Sequence, residues 1–386
     1  MHVGKILHKL LAEVTHGSRL RVLSAAVMGV LRTKRISVTQ IGRGLVNQQQ
    51  ERSAIRQADR LVGNKHLHQE RSLMYQQMMN FLIGSRQLVP VLVDWSQIPN
   101  ATHHVLRAAL VTKGRALTLY EEVHREKKLG NKQVQDQFLE KLGRLLPAGC
   151  QVIVITDAGF HGPWFRKIQS MGWDYVGRVR GTYQMSLDGG ETWRHCRKLF
   201  PKASPVARWW KDVMFGKENP QKASICLIKE LPRGRKSYTR QGKKRRDTKT
   251  KDYRRSAKEP WLLVSSLNIT SFLVAKRVIN FYKTRMQIEE AFRDLKSSRY
   301  GFGFEEAFSK QIKRIENMLL IASLASMYAW LVGCYGEAQG LHREFQVNSS
   351  KRRVLSLFFL GCRMIYRGIK VPIHAIESCF YRGLLS

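Results

Sequence analysis

The stretch Leu88–Trp95, LVPVLVDW, decides the fold of this chain of 386 residues, because a short apolar run ends there in an acidic residue. Aliphatic and β-branched residues in such a run predict a buried β-strand. Two more strands are predicted directly after it, HHVLRAALVT (103–112) and RALTLYEEV (115–123). The dipeptide Lys113-Gly114 joins these two as a hairpin. Three antiparallel strands therefore follow one another in this part of the chain.

The next four segments alternate between helix and strand. The predicted helices are NKQVQDQFLEKLGRLL (131–146) and HGPWFRKIQSMG (161–172), and the predicted strands are QVIVITDAGF (151–160) and DYVGRVR (174–180). The complete order is β-β-β-α-β-α-β. This order predicts an α/β fold in which helices cover a mixed sheet of the ribonuclease H-like kind.

Five regions are predicted along the chain, and the two outermost are helical. They are a helical DNA-binding region (1–86), the first part of a catalytic core (87–181), a β-rich insertion (182–260), the second part of that core (261–304) and a C-terminal helical region (305–386). The first region carries 14 Lys and Arg against four acids. It is either a DNA-binding module or an ordinary helical bundle with a basic surface.

The charge of the chain points to a polyanionic partner. Lys and Arg number 67 and Asp and Glu 29, which gives a net charge of +38. Nucleic acid is the first candidate partner. Within Arg233–Lys258 alone, 13 of 26 residues are Lys or Arg, so this loop of the insertion is expected to contact nucleic acid. The six cysteines show no metal-binding spacing, and no phosphate-binding loop of the ATPase type is present.

One apolar stretch, Met318–Tyr335, raises the question of a membrane. It runs for eighteen residues without a charge, slightly fewer than the roughly 20 that a spanning helix needs. Two Ser, two Tyr and a Trp lower its hydrophobicity. We interpret it as the buried central helix of a large domain and expect no membrane partner.

Three carboxylates are the candidate catalytic residues. Asp94 and Asp157 each end a predicted strand, and these strands are neighbours in a ribonuclease H-like sheet. Glu289 lies on a later predicted helix that starts at Phe272. Three acids at one sheet edge would repel one another unless cations lie between them, and oxygen ligands suit Mg²⁺ or Mn²⁺. Two such ions would promote displacement at a phosphodiester. For each Asp alone, a turn or cap role is the simpler interpretation.

A polar face accompanies Glu289 on that predicted helix. Tyr282, Arg285, Glu289 and Lys296 fall within about 60° of one another on a helical wheel. Glu290 is rotated away from them by about 100°. Pairing of acid and base along a helix would explain part of this pattern.

These residues resemble the Y-R-E-K signature of bacterial insertion-sequence transposases of the DDE class. The segments VLVDWS (91–96), ITDAGF (155–160) and YKTRMQIEEAFRDLK (282–296) are similar to the three blocks that carry the D, D and E of that family. The resemblance implies that Asp94, Asp157 and Glu289 hold Mg²⁺, with Mn²⁺ as a substitute. It also implies that Tyr282, Arg285 and Lys296 contact DNA.

The resemblance further implies cut-and-paste transposition through hairpin ends, in which an aromatic residue stacks on an extruded base. Trp261 matches that position, although a core role within its strand is the alternative. Arg178 is expected to hold a phosphate, with Arg180 as the competing candidate.

The expected function is therefore that of a DNA transposase that binds the terminal inverted repeats of an insertion sequence. Its expected partners are the double-stranded DNA of the transposon ends and target, and a second copy of itself in a synaptic complex. The C-terminal region would form the dimer, and because it matches least, the activity of this copy stays open. A cytoplasmic, nucleoid-associated location is expected. A ribonuclease H-like nuclease without strand transfer and a non-catalytic repressor derived from a transposase are the alternatives.

Overall fold

The computed structural model describes residues 3–45, 50–181, 183–230 and 259–375. The chain divides into two compact units, of which the first comprises residues 1–150 and 286–386 and the second residues 151–285. The basic loop Arg233–Lys258, for which a nucleic-acid contact is predicted, lies outside the described residues.

The first unit begins with helices that precede every strand. They are α1 (Val3–Leu11), α2 (Gly17–Thr33), α3 (Val38–Arg43), α4 (Glu51–Val62) and α5 (Lys65–Ile83). Several begin at a residue whose side chain caps the helix: Ser37 accepts a hydrogen bond from the Gln40 amide, and Asn64 from the Leu67 amide. The predicted helical character of this region is confirmed.

Three antiparallel strands and a helix follow in the first unit, namely β1 (Leu88–Gln97), β2 (His103–Val111), β3 (Ala116–Arg125) and α6 (Lys132–Leu145). The strand order is β3-β2-β1, and the centre of β1, Val91 to Val93, is buried. The unit ends with α9 (Met286–Lys296), α10 (Ile312–Ala338), α11 (His342–Phe345) and α12 (Leu357–Tyr366).

The second unit is built on a mixed sheet. Its elements are β4 (Gln151–Thr156), α7 (Gly162–Ser170), β5 (Asp174–Val179), β6 (Gln184–Ser186), β7 (Arg194–His195), β8 (Arg208–Phe215), β9 (Gln221–Ile228), β10 (Trp261–Ser265) and α8 (Phe272–Thr284). The strand order is β4-β5-β10-β9-β8-β6-β7, in which β4 and β5 are parallel and the other pairs antiparallel. Strands β6 to β9 make the region before β10 rich in β-structure.

The observed order β1-β2-β3-α6-β4-α7-β5 is the predicted one. The predicted α/β fold class, with a mixed sheet, a region rich in β-structure before β10 and helical segments at both ends, is therefore confirmed. Short apolar runs and helix amphipathicity were sufficient to predict it.

The long apolar helix α10 is the core of the first unit. It is long and apolar enough to cross a membrane, but 89% of its most apolar stretch is buried inside the protein. It packs against α2, α5, α12 and β3. The contact with α12 is close enough that a Cβ atom on Gly361 would lie 1.7 Å from the Ala329 carbonyl oxygen. This helix therefore buries apolar surface on all sides, as expected of a core helix.

Candidate active site

The predicted site residues form two groups, one within each unit. Asp94, Glu289 and Lys296 belong to the first unit. The second unit contains Asp157, Arg178, Trp261, Tyr282 and Arg285.

In the first unit, Asp94 lies opposite Arg107. The two residues are cross-strand partners in the β1–β2 pair, so their side chains project from the same face of the sheet. Asp94 is half-buried, and its Oδ1 atom accepts a hydrogen bond of 2.8 Å from the Trp95 amide. Arg107 is 3% exposed, and both its Nε and Nη2 atoms donate to Glu121 Oε2, at 2.8 and 2.6 Å. A buried ion pair thus holds a guanidinium next to Asp94.

Lys296, at the end of α9, belongs to the same group. Its Nζ atom donates a hydrogen bond of 2.7 Å to Ser96 Oγ, two residues beyond Asp94. Burial lowers the pKa of Lys296 to about 8, and the nearby positive charge of Arg107 acts in the same direction, whereas the negative charge of Asp94 opposes it. The ammonium group is therefore close to both partners of the β1–β2 pair, and it is poorly hydrated.

The two adjacent glutamates of helix α9, Glu289 and Glu290, have different surroundings. Glu290 and Asp294 both form ion pairs with Arg115, the latter with 2.6 Å between Arg115 Nε and Asp294 Oδ2. Glu289 lies in the first turn and is solvent-exposed. Because α9 packs against β1 and β3, the Arg115 contacts fix the helix on the sheet. Glu290 thus helps to hold α9 on the sheet, whereas Glu289 is solvent-exposed at a position that a ligand can reach.

The prediction of a single continuous helix from Phe272 onward is wrong at one point. The structure interrupts it at Arg285, between α8 and α9. Thr284 Oγ1 donates to the Phe281 carbonyl at 2.6 Å, and the Arg285 amide bonds three residues back to the Tyr282 carbonyl. A hydroxyl that competes for helix carbonyls and a tightened last turn are common causes of such a break. The interruption is one residue long, and Arg285 itself keeps helical backbone angles, with φ at -52° and ψ at -34°.

The second group is centred on Tyr282. This residue is 4% exposed, packs edge to face against Trp261 and forms a side-chain hydrogen bond with Arg178. Burial raises the pKa of the Tyr282 hydroxyl, while the charges of Arg285 and Arg178 act in the opposite direction. Asp157 also raises the pKa of this hydroxyl. Four of the residues that the sequence singled out therefore surround one buried phenol.

Asp157 directly follows β4. Its side chain is half-buried, and its Oδ1 atom accepts a hydrogen bond of 2.8 Å from the Gly159 amide, which closes a turn. The neighbouring Thr156 is completely buried. The carboxylate is thus fixed in direction by a local turn at the end of a core strand.

Arg178 and Arg180 both contact Glu259, which lies two residues before Trp261. Arg180 Nε donates to Glu259 Oε2 at 2.6 Å, whereas Arg178 Nη2 reaches the same atom only at 3.4 Å. Burial lowers the pKa of Arg178. Arg178 also contacts Tyr282, so it is Arg178, rather than the more exposed Arg180, that belongs to the aromatic group.

The carboxylates fit a divalent cation in their chemistry. Asp94, Asp157 and Glu289 offer hard oxygen donors of the type that Mg²⁺ and Mn²⁺ prefer. Within residues 3–45, 50–181, 183–230 and 259–375, no three His, Cys, Asp or Glu side chains lie close enough together to hold a metal ion. The fit of these three carboxylates to a divalent cation therefore rests on their donor type.

Three residues in these groups were not predicted from the sequence. Arg107 could have been found, because the β1–β2 hairpin register places it opposite Asp94. Glu121 and Glu259 gave no signal, since each acts through an ion pair to a residue on another strand.

A family of known proteins matches most of the region just described. The sequence model of the family described as "Transposase DDE domain" matches residues 88–328. This range includes Asp94, Asp157 and Glu289 as well as the whole β-rich insertion. No curated protein matches the chain.

Similarity to solved structures is more distant. The chain is similar to the piggyBac transposase in a synaptic complex with hairpin DNA, with 11% sequence identity and a TM-score of 0.43. The alignment covers 99% of this chain and 81% of that chain.

Proposed function

Since this chain belongs to the family of transposases with a DDE domain, we propose that it cuts and joins DNA at the ends of its own insertion sequence. It binds the terminal inverted repeats and performs metal-dependent strand cleavage and strand transfer of the cut-and-paste type, through hairpin ends. The proposal includes membership of the bacterial group with the Y-R-E-K signature. The support for that group is the residue set Tyr282, Arg285, Glu289 and Lys296.

The observation that carries the proposal is the group around Tyr282. A half-buried Trp, a buried Tyr and an Arg lie together, and the nearby carboxylate of Asp157 influences the same phenol. Trp261 offers an aromatic face for an extruded base, and Arg178 and Arg285 offer guanidinium groups for backbone phosphates. This combination suits a DNA strand distorted next to the cleavage point.

In this proposal Asp94, Asp157 and Glu289 hold Mg²⁺, or Mn²⁺ in its place. The ions would neutralise charge on the phosphodiester and activate the attacking oxygen. Lys296 contacts a DNA phosphate, and Arg107 holds its positive charge beside Asp94 without reaching solvent. Burial of Lys296 strengthens such a contact, because a poorly hydrated ammonium loses less hydration on binding.

The partners follow from the same proposal. Two copies of the chain bind two transposon ends, with the C-terminal helices as the contact between copies, and the reaction takes place in the cytoplasm on nucleoid DNA. The net charge of +38 supports binding to the DNA backbone.

The test incubates the purified chain and Mg²⁺ with duplexes that carry the inverted repeats flanking its gene. Nicking, hairpin ends and strand transfer are the expected products, and Asp157→Asn should form none of them. Binding without cleavage by the wild-type chain would support a repressor instead. Open double-strand ends without hairpins would refute the hairpin step and the role of Trp261.

A further inference from the structure

A basic cleft lies in the first unit, where the β2–β3 pair meets the start of α10. Its volume is about 390 Å³, and it is lined by His103, Arg125, Lys310, Gln311, Ile312 and Lys313. Three of these six residues are permanently cationic side chains, and none is acidic. Glu126 follows Arg125 in the chain but does not line the cleft.

One wall of the cleft contains a buried nitrogen without a partner. His103 and Arg125 are cross-strand partners at the end of the hairpin. His103 is only 9% exposed, and among the described residues its Nδ1 atom finds no hydrogen-bond partner. A buried polar atom left unpaired costs about 1–3 kcal/mol, so a ligand in the cleft that bonds to this nitrogen would remove that cost.

The other wall is the N-terminus of a helix of 27 residues. The first helical bond joins the Ile315 amide to the Gln311 carbonyl, so the amides of residues 312–314 have no acceptor within the helix. Gln311 provides no side-chain cap, and the first turn contains no acidic residue. Lys310 and Lys313 instead add positive charge where the helix dipole is already positive, which is unfavourable unless an anion binds there.

We propose that this cleft binds a phosphate group of the DNA backbone, separately from the residues that carry out cleavage. The proposal rests on the proposed function, since it requires that the chain holds DNA. The phosphate accepts hydrogen bonds from the open amides of α10 and from His103, and it forms ion pairs with Arg125, Lys310 and Lys313. Such a contact contributes to affinity and to the register of the DNA, and it carries no sequence information.

The test compares two double variants that remove the same charge. Lys310→Ala/Lys313→Ala changes the cleft, and Lys351→Ala/Lys370→Ala removes two exposed lysines of the same unit that do not line it. The Kd for a labelled duplex bearing the inverted repeat is measured without divalent cations over a series of salt concentrations. We expect the cleft variant to bind at least about tenfold more weakly and to lower the slope of log Kd against log salt by about one. Equal effects of the two variants, or no effect of the cleft variant, would overturn the proposal.

A second arm identifies the source of the phosphate. Inorganic phosphate is titrated into the DNA-free chain by calorimetry. If binding depends on Lys310 and Lys313 while their loss leaves the DNA salt slope unchanged, the cleft serves free phosphate and the proposal fails. Failure of the proposed function would be seen in a different experiment, the cleavage assay with Mg²⁺. In that case the wild-type protein gives no cleavage product, even if the salt slope of DNA binding depends on the cleft.

Discussion

The ring of Trp261 meets that of Tyr282 edge to face, with 5.0 Å between the ring centroids and 72° between the ring planes. Aromatic pairs prefer this geometry, and the indole of Trp261 remains partly exposed. The contact joins the first residue of β10 to the last turn of α8. A core position and a stacking position for Trp261 are therefore compatible, because the indole packs against Tyr282 and is still partly exposed.

Replacing Trp261 tests this relationship. We expect Trp261→Ala to reduce the yield of hairpin ends by roughly 10- to 100-fold, because base-aromatic stacking contributes about 1–3 kcal/mol per base. Trp261→Phe should retain most of the yield, since it keeps an aromatic face. The measurement is the fraction of hairpin product on a denaturing gel, together with the fluorescence of 2-aminopurine at the extruded position.

The matched control is Trp209→Ala, which removes another half-buried indole from the same sheet. If both Ala variants reduce the hairpin yield equally, Trp261 contributes to the stability of the unit and not to base extrusion.

The adjacent acids of α9 give the second prediction. Under the proposed function, Glu289→Gln should lower the rate of DNA cleavage by at least about 100-fold, or about 3 kcal/mol in the barrier, because the proposed metal ligand loses its charge. Its free energy of unfolding should change by less than about 0.5 kcal/mol, since Glu289 is exposed.

Glu290→Gln is the control, because it makes the same chemical change one residue away. Arg115 keeps its ion pair with Asp294 in this variant, so the loss of stability should stay below about 1 kcal/mol and cleavage should persist. Loss of cleavage in Glu290→Gln but not in Glu289→Gln would reassign the catalytic acid. Single-turnover cleavage and urea unfolding measure the two effects separately.

The sequence was informative where the signal is local. Short apolar runs and amphipathic helices from Leu88 to Val179 predicted the order of five strands and two helices, because strands buried on both faces consist mainly of apolar residues. The break at Arg285 was missed, since the residues on both sides favour helix and the competing bond from Thr284 depends on its rotamer. Propensity alone cannot predict such an interruption.

Contacts between residues that are far apart in the chain also could not be predicted from the sequence. Glu259 meets Arg178 because β10 pairs antiparallel with β5, and this register is absent from either segment alone. The buried Glu121 similarly joins Arg107, Tyr75 and Ser323, which lie on three different elements. A carboxylate that bridges several elements in this way has no signature in its own neighbourhood.

Glu122 gives the third prediction, on acid stability. Burial alone would raise the pKa of this carboxyl, but hydrogen bonds from His124, Lys141 and Tyr120 outweigh it and hold the pKa at about 2. Because the folded-state pKa is below the unfolded value of about 4.5, the charged carboxylate stabilises the fold above pH 4.5. That contribution, roughly 3 kcal/mol, is lost as the pH falls from about 4.5 to about 2.

The expected result is that Glu122→Gln unfolds more easily than wild type at pH 6 and that the difference shrinks as the pH falls toward 3. Urea unfolding of both proteins at a series of pH values measures this difference in unfolding free energy. A difference that stays constant over this range would show that the ion pairs of Glu122 do not stabilise the fold.

The last prediction concerns the close packing of α10 and α12. A Cβ atom on Gly361 would lie 1.7 Å from the Ala329 carbonyl oxygen, which is backbone and cannot rotate away. Gly361→Ala must therefore push the two helices apart, and we expect a loss of at least about 2–3 kcal/mol in unfolding free energy. Gly4→Ala is the control, because its Cβ atom would meet nothing within 4 Å and alanine favours the helix by about 0.5–1 kcal/mol. Opposite signs of the two changes in melting temperature would support close packing of the helices, whereas a neutral Gly361→Ala would mean that they pack less closely than the structure indicates.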